Sequence, residues 1–303
     1  MIIDAHSHWL PQEIIENAHF FHKGWGDIEA QAKMMEEAGI AKAVLSYPTS
    51  DAHLKLGSIS LVARTYNDYV AKICRHHADK FIGAAVLPVD SKENLASEFK
   101  RATEELGFKA LSLASSYNGI YLDDPMFLPI YKEAQEKNMP IFVHSQIVNP
   151  IGFERVQDPL LTPVIEYVFD TTICIGKLLM SDVLREYSGV KFIFAYFGGV
   201  IPFLAHRFDA TYQMLRGMNF VKDLQGNPTD YLKNIYVDTS GDKTKANFLS
   251  ALELLGPKHL LWGSDWPAKK DVGNSINAVK ELNISEEEKN NILGGNLQQI
   301  LAL

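Results

Sequence analysis

The sequence predicts an α/β protein folded as a (β/α)8 barrel (TIM barrel), one domain over residues 1–303 with extra helices at its C-terminal end. Short apolar runs alternate with longer helical patterns eight times, which is typical of this barrel. Most of the runs are apolar at nearly every position, as in a parallel sheet covered on both faces. A doubly wound open sheet is the alternative, but no glycine-rich phosphate loop follows an early strand.

Eight predicted strands share a short, apolar, β-rich composition. They are Met1–Asp4, Lys42–Tyr47, Phe81–Pro88, Phe108–Leu113, Pro140–His144, Lys191–Phe197, Ile235–Asp238 and Leu260–Gly263. Nine segments with helical periodicity lie between and after them. They are Asp27–Ala38, Ile59–His77, Lys92–Leu106, Pro125–Lys137, Thr162–Tyr187, Val200–Leu215, Ala246–Leu255, Gly273–Leu282 and the segment from Ser285 onward. Ser285 and Glu288 form a capping-box pattern that marks the start of the last helix.

Composition and charge are those of an ordinary globular protein. Apolar residues make up 47% of the chain, which is enough for a large core. The net charge of −8 argues against nucleic acid and anionic membranes as partners, because both attract basic surfaces. The N-terminus lacks the pattern of a signal peptide, and no apolar run is long enough to span a bilayer. We therefore expect a cytoplasmic protein.

The segment Asp4-Ala5-His6-Ser7-His8 carries the strongest chemical signal. Side chains two residues apart on a strand point to the same face, so the imidazoles of His6 and His8 can converge on one point. A divalent metal is the ordinary reason for two imidazoles to converge. The alternative is a pair of partly exposed histidines near the N-terminus.

Two more candidate ligands lie at the carboxyl ends of predicted strands. His144 ends the fifth strand, and Asp265 follows the eighth. Each alone has an ordinary structural explanation, a hydrogen-bonded core histidine and a turn-capping aspartate. Together with His6 and His8 they predict one mononuclear metal site, because the carboxyl ends of barrel strands meet on one face. Three imidazoles and one carboxylate suit zinc, or another divalent ion such as manganese.

Four segments together resemble the amidohydrolase-related superfamily, and within it the aminocarboxymuconate-semialdehyde decarboxylase branch. They are Asp4-Ala5-His6-Ser7-His8, Phe142-Val143-His144, Gly198-Gly199 with Pro202 and Arg207 behind it, and Gly263-Ser264-Asp265-Trp266-Pro267. The resemblance spans essentially the whole chain. It implies that His6, His8, His144 and Asp265 hold the metal. It also implies that Arg207 binds a substrate carboxylate, in some members across a subunit boundary, so we expect a homodimer.

One position departs from the family pattern. Tyr196 stands where the family has a histidine that acts as the acid and base. Histidine titrates near neutrality, whereas an unperturbed tyrosine titrates near pH ~10 and is a poor general base. A tyrosine still donates a proton or a hydrogen bond. We therefore predict Tyr196 and Asp265 as the catalytic residues, with a purely packing role as the alternative for Tyr196.

The predicted function is that of a metal-dependent carboxy-lyase. Its expected substrate is a small carboxylated molecule, aromatic or muconate-like, oriented by Arg207. Trp9, Tyr47 and Trp266 lie at or just after strand ends and are candidates for the walls of the substrate pocket, with ordinary packing as the alternative. A metal-dependent hydrolase of the same superfamily is the first alternative function. A catalytically inactive metal-binding barrel is the second, because Tyr196 replaces the histidine.

Overall fold

Eight parallel strand positions close into the predicted barrel. The computed structural model describes residues 1–18, 21–49, 51 and 54–303. Its strands are β1 (Ile2–His8), β2 (Ile40–Ser46), β3 (Phe81–Gly83), β4 (Ala85–Val86), β5 (Leu111–Ala114), β6 (Ser116–Tyr117), β7 (Ile120–Tyr121), β8 (Ile141–His144), β9 (Phe192–Phe194), β10 (Ile235–Asp238) and β11 (Leu260–Leu261). The sheet order is β1-β2-β3 and β4-β5-β8-β9-β10-β11, while β6 and β7 form a separate antiparallel hairpin.

The barrel closes between its first and last strands. The amide of Ala5 donates to the carbonyl of Trp262 at 2.9 Å. Beyond the end of β11, Ser7 forms a parallel bridge with Trp266. The third barrel strand, predicted as Phe81–Pro88, is divided into β3 and β4 because its first half pairs with β2 and its second half with β5. This stagger is what strand tilt in a barrel requires.

Helices surround the barrel. They are α1 (Gln12–Glu16), α2 (Ile28–Ala38), α3 (Ile59–His76), α4 (Lys92–Lys100), α5 (Leu128–Glu136), α6 (Phe153–Val156), α7 (Tyr167–Met180), α8 (Val183–Glu186), α9 (Ile201–Gly217), α10 (Lys245–Leu255), α11 (Val272–Lys280), α12 (Glu286–Asn290) and α13 (Asn296–Leu301). Within the part of the chain that the structure describes, no helix combines the length and apolar character needed to cross a membrane.

The predicted helix Thr162–Tyr187 is divided in the structure. A π-helical turn precedes α7, and a break at Asp182 separates α7 from α8. Asp182 adopts a left-handed conformation with φ of 72°, which ends a helix. Its buried carboxylate accepts from Arg185 and pairs with Lys222. The charged partners therefore stabilise a break that the apolar periodicity of this segment does not reveal.

The interior of the barrel is filled by a small apolar cluster with a side chain from each strand position. Its members include Ile3, Val44, Ala84, Ala110, Phe142, Ile193, Tyr236, Leu261 and, from α13, Leu297. Because alternate residues of a strand share a face, Ser46 and His144 follow Val44 and Phe142 on the same inner side. The inner side chains at the carboxyl ends are therefore polar, and they converge above this apolar plug.

Candidate metal centre

Three histidines meet at the carboxyl end of the barrel. Ring nitrogens of His6, His8 and His144 all lie within 4.8 Å of one another, and all three side chains are buried. The Nε2 atoms of His6 and His8 are 3.1 Å apart. A bulge in β1 between Asp4 and Ser7 lets these neighbouring side chains turn to one point. The convergence predicted from the sequence is thus present in the structure.

A second contact on each ring fixes which nitrogen faces the centre. The Nδ1 atom of His6 donates to the carboxylate of Asp238 at 2.7 Å. In the same way His8 Nδ1 faces the carbonyl of Ser46 at 3.2 Å, and His144 Nδ1 faces the carbonyl of Ser145 at 2.8 Å. With each Nδ1 acting as a donor, the Nε2 lone pairs point inward. Such partners behind the ring are typical of metal-ligating histidines.

Asp265 supplies a carboxylate to this group. Its Oδ1 atom lies 3.4 Å from His8 Nε2 and 3.6 Å from His6 Nε2. The residue is held at a φ of 64° while its amide donates to the carbonyl of His6 at 2.8 Å. Metal bonds of about 2.1 Å at octahedral or tetrahedral angles place neighbouring donor atoms roughly 3.0–3.4 Å apart. His6 and His8 lie at about this spacing from each other, and Asp265 lies close to both, while His144 completes a group within 4.8 Å. The three imidazoles are therefore the candidate ligands of one divalent ion, and Asp265 is the carboxylate beside them.

The protonation of the rings favours the same interpretation. Burial, with the charges of His6 and His8, lowers the pKa of His144 to about 3, and burial also lowers the pKa of His8. Both rings are therefore neutral near pH 7. For His6, burial lowers the pKa, but the charge and hydrogen bond of Asp238 outweigh it and leave the pKa raised. A positive charge at the centre, whether a proton or a metal ion, is thus favoured by the surrounding carboxylates.

Tyr196 reaches the centre from a strained turn. Its hydroxyl lies 3.1 Å from His144 Nε2. The predicted strand Lys191–Phe197 ends earlier, at Phe194, because Tyr196 and Phe197 have φ values of 56° and 58° and Gly198 and Gly199 follow with positive φ. Strain of this kind persists only where the surroundings impose it. Burial, with the charges of Asp265 and Asp238, raises the pKa of Tyr196 well above its usual value, so the phenol keeps its proton.

A cavity of about 400 Å³ adjoins Tyr196 and Asp265. Its lining includes apolar side chains, among them Val164, Phe197, Val200 and Phe203. It also includes the polar side chains of Asp242, Asn247, Asp265 and Lys269. The cavity therefore suits a molecule with an apolar body and a polar edge, held beside the candidate metal ligands.

The structure does not bring the other predicted substrate-binding residues to this cavity. Tyr47 is fully buried and stacks on Tyr66 with ring centroids 5.2 Å apart, and Trp9 is buried with its indole donating to the carbonyl of Gly26. Their apolar surface packs in the core, and their contact with substrate stays a prediction. Trp266 is half-buried where the barrel closes, and its contact with substrate stays a prediction.

Arg207 lies on α9, away from the metal ligands of its own chain. Its side chain is exposed and borders a separate groove that also contains Met180, Leu204, Phe208 and Leu215. The cavity beside Asp265 does not include it among the residues that the structure describes. Arg207 therefore faces outward, and its predicted role in carboxylate binding stays a prediction.

Sequence reasoning missed two residues that contact the ligand set. Asp238 ends the seventh predicted strand and holds His6, so the strand-end rule that selected His144 also applied to it. Asp238 also accepts from Ser240 Oγ, which in turn accepts from the amide of Tyr196 at 3.3 Å. Trp25 stacks on His8 at a centroid distance of 5.4 Å, and nothing in its local sequence marks this role.

Comparisons with known proteins agree with the predicted fold. The chain is 29% identical over 250 residues to a 2-amino-3-carboxymuconate-6-semialdehyde decarboxylase of Dictyostelium discoideum, covering 80% of this chain and 67% of that protein. A 5-carboxyvanillate decarboxylase structure from Sphingomonas paucimobilis superposes with a TM-score of 0.87 at 19% identity, covering 100% of this chain and 99% of that one.

A second similar structure holds a metal. It is a dihydroxybenzoic acid decarboxylase from a Polaromonas species with bound manganese and the inhibitor 2-nitroresorcinol, with a TM-score of 0.84 at 22% identity, covering 100% of this chain and 97% of that one. The family model described as amidohydrolase matches residues 3–301. The barrel and the family resemblance predicted from the sequence are therefore both confirmed, and this chain belongs to the amidohydrolase family of enzymes.

Proposed function

We propose that the protein is a metal-dependent decarboxylase of a small carboxylated substrate, aromatic or muconate-like. The observation that carries the proposal is the placement of His6, His8, His144 and Asp265 beside a half-apolar cavity. The three similar proteins described above are each named as decarboxylases of a carboxylated aromatic or muconate compound, which supports the choice of reaction.

One divalent ion per chain is proposed for the site. The donor set of three imidazoles and one carboxylate suits Zn²⁺, and manganese is bound in a similar structure. When bound, the ion would act as a Lewis acid on a substrate oxygen beside the carboxylate. The protein would hold the substrate in the cavity and deliver one proton to it.

Tyr196 and Asp265 act in the transfer of a proton to the substrate. Decarboxylation breaks the bond between the carboxylate carbon and its neighbouring carbon, releases CO2, and leaves an electron pair that must take up a proton. Tyr196 keeps its proton because of burial, and it lines the cavity. Asp265 is ionised, since contacts with His8 and the charge of His6 outweigh burial and lower its pKa. Tyr196 is therefore the proposed proton donor, and water returns the proton to its phenolate. Asp265 is the proposed alternative carrier, which would first take up a proton from water and then pass it to the substrate carbon.

A homodimer is proposed as the working form. Two exposed apolar side chains line the cavity, Val164 (60% exposed) and Phe203 (69%). Apolar surface of this kind is typical of a protein interface. In such a dimer, the outward-facing Arg207 of one copy would reach the cavity of the other copy, as the family resemblance implies. Size-exclusion chromatography with light scattering tests the dimer, and a monomer at micromolar concentration would contradict it.

One assay tests the proposed reaction. Protein loaded with Zn²⁺ or Mn²⁺ is incubated with hydroxybenzoates, muconate semialdehydes and lactones, and CO2 release and ester or lactone cleavage are measured separately. We expect CO2 release from a carboxylated aromatic or muconate compound. Cleavage of lactones alone would favour the hydrolase. Metal binding without any turnover would favour the inactive barrel, a candidate that Tyr196 in place of the family histidine specifically supports.

A further inference from the structure

We propose that Lys269 binds the anionic group of the substrate in the cavity beside Asp265. The proposal rests on the proposed function, since it assumes a carboxylated ligand in that cavity. Among the lining residues that the structure describes, Lys269 is the one cation, and Arg207 is not among them. A carboxylate entering this cavity therefore meets the Lys269 ammonium of the same chain.

The backbone fixes Lys269 close to the metal ligands. Its amide donates to the carbonyl of Asp265 at 2.8 Å, and the amide of Asp265 donates to the carbonyl of His6 at 2.8 Å. One short turn thus joins the cation to the ligand set. Lys269 and Asp265 both line the cavity, so the cation and the carboxylate beside the three histidines border the same space.

The present partner of Lys269 is an anion that a ligand can replace. Its Nζ atom lies 3.3 Å from Asp242 Oδ1, and the side chain of Asp242 is 87% exposed. An ion pair with so exposed a partner contributes little to stability. The other carboxylate in the lining, Asp265, is directed at His6 and His8. Asp242 therefore occupies the position at Lys269 that a substrate carboxylate would take.

The apolar part of the cavity lining defines the rest of the ligand. Val164, Phe197 and Phe203 line the same cavity as Lys269. A planar ring can pack on apolar lining while its carboxylate reaches the ammonium. The substrate class that suits this lining is an aromatic or conjugated carboxylate, and a neutral ring of the same shape lacks the contact with Lys269.

Isothermal titration calorimetry on Mn²⁺-loaded protein tests this with 2,6-dihydroxybenzoate and its neutral counterpart, resorcinol. We expect the wild type to prefer the carboxylate, and Lys269→Gln to weaken benzoate binding about tenfold while leaving resorcinol binding unchanged. Asp242→Asn, which removes the competing anion, should strengthen benzoate binding several-fold. Lys270→Ala, an exposed neighbouring lysine, is the matched control and should change neither.

The outcomes separate this proposal from the proposed function. An unchanged preference for the carboxylate in Lys269→Gln, or no preference in the wild type, overturns the assignment of Lys269 even if CO2 release is observed. Loss of the preference in Lys269→Gln supports the assignment even if no substrate is turned over. Metal content is measured on each variant and should equal that of the wild type, because Lys269 is not among the metal ligands.

Discussion

The Nδ1 atom of His6 donates to the carboxylate of Asp238 across 2.7 Å, and this contact decides which nitrogen of His6 faces the candidate metal. We expect Asp238→Ala to weaken metal binding about 10- to 100-fold, because the ring loses the partner that orients it. Competition with a fluorescent chelator measures the affinity. Asp223→Ala, which removes an exposed carboxylate paired with Arg216, is the control and should bind metal like the wild type. Equal affinity in both variants would show that Asp238 does not orient His6.

Tyr196 is predicted to take part in the reaction and not to bind the metal. Its hydroxyl is 3.1 Å from His144 Nε2, and it keeps its proton. Tyr196→Phe removes only the hydroxyl, so we expect turnover to fall by about 10²-fold or more while one metal per chain is retained. Turnover equal to the wild type would assign Tyr196 to packing. Tyr196→His restores the family residue, and a gain in turnover would show that the scaffold still supports the family's chemistry.

Gly199 is predicted to be essential for the turn that presents Tyr196. Its φ is 69°, and a Cβ atom there has no room beside Thr172 Oγ1 and the carbonyl of Val168. Gly199→Ala should therefore lower the free energy of unfolding by about 2–3 kcal/mol, measured by urea denaturation. Gly217→Ala is the matched control, because a Cβ at the end of α9 meets no atom within 4 Å. Similar stability of the two variants would contradict the account of this turn.

The pH dependence of stability is predicted to include a contribution from Asp182. Hydrogen bonds from Arg185 outweigh burial and lower its pKa to about 2. A carboxyl with a depressed pKa stabilises the fold above its unfolded pKa, and the contribution is lost as pH falls from about 4 to about 2. Asp182→Asn should thus cost about 1 kcal/mol at pH 7 and almost nothing near pH 2. Chemical denaturation at both pH values measures this, and a pH-independent difference would contradict it.

The sequence alone predicts features that follow from the periodicity of apolar residues and from the position of polar residues at strand ends. Continuous apolar runs located the eight strand positions, and the rule that polar residues gather at strand ends located His6, His8, His144 and Asp265. The same rule applied to Asp238, which went unrecognised because a lone aspartate at a strand end has many ordinary explanations. Prediction of site residues from their position at strand ends is strongest where several strands each place a residue at the same point.

Features that depend on packing between distant segments were not predictable. The turn at Tyr196 requires a glycine at position 199, because Thr172 and Val168 on α7 leave no space for a Cβ atom there. The break at Asp182 depends on Lys222, 40 positions away in the chain. Trp9 and Tyr47 follow strands, which favours a place at the pocket, but the structure buries both side chains in the core. Such cases require knowledge of which segments touch.

Metal stoichiometry is the most direct test of the site on which the whole account depends. The wild type and the variants His6→Ala, His144→Ala and Asp265→Ala are loaded with Zn²⁺ or Mn²⁺, desalted and analysed by inductively coupled plasma mass spectrometry, with the exposed His76→Ala as control. We predict about one metal per chain in the wild type and the control, and a loss of most of it in the other three variants. Full metal content in all of them would contradict the site.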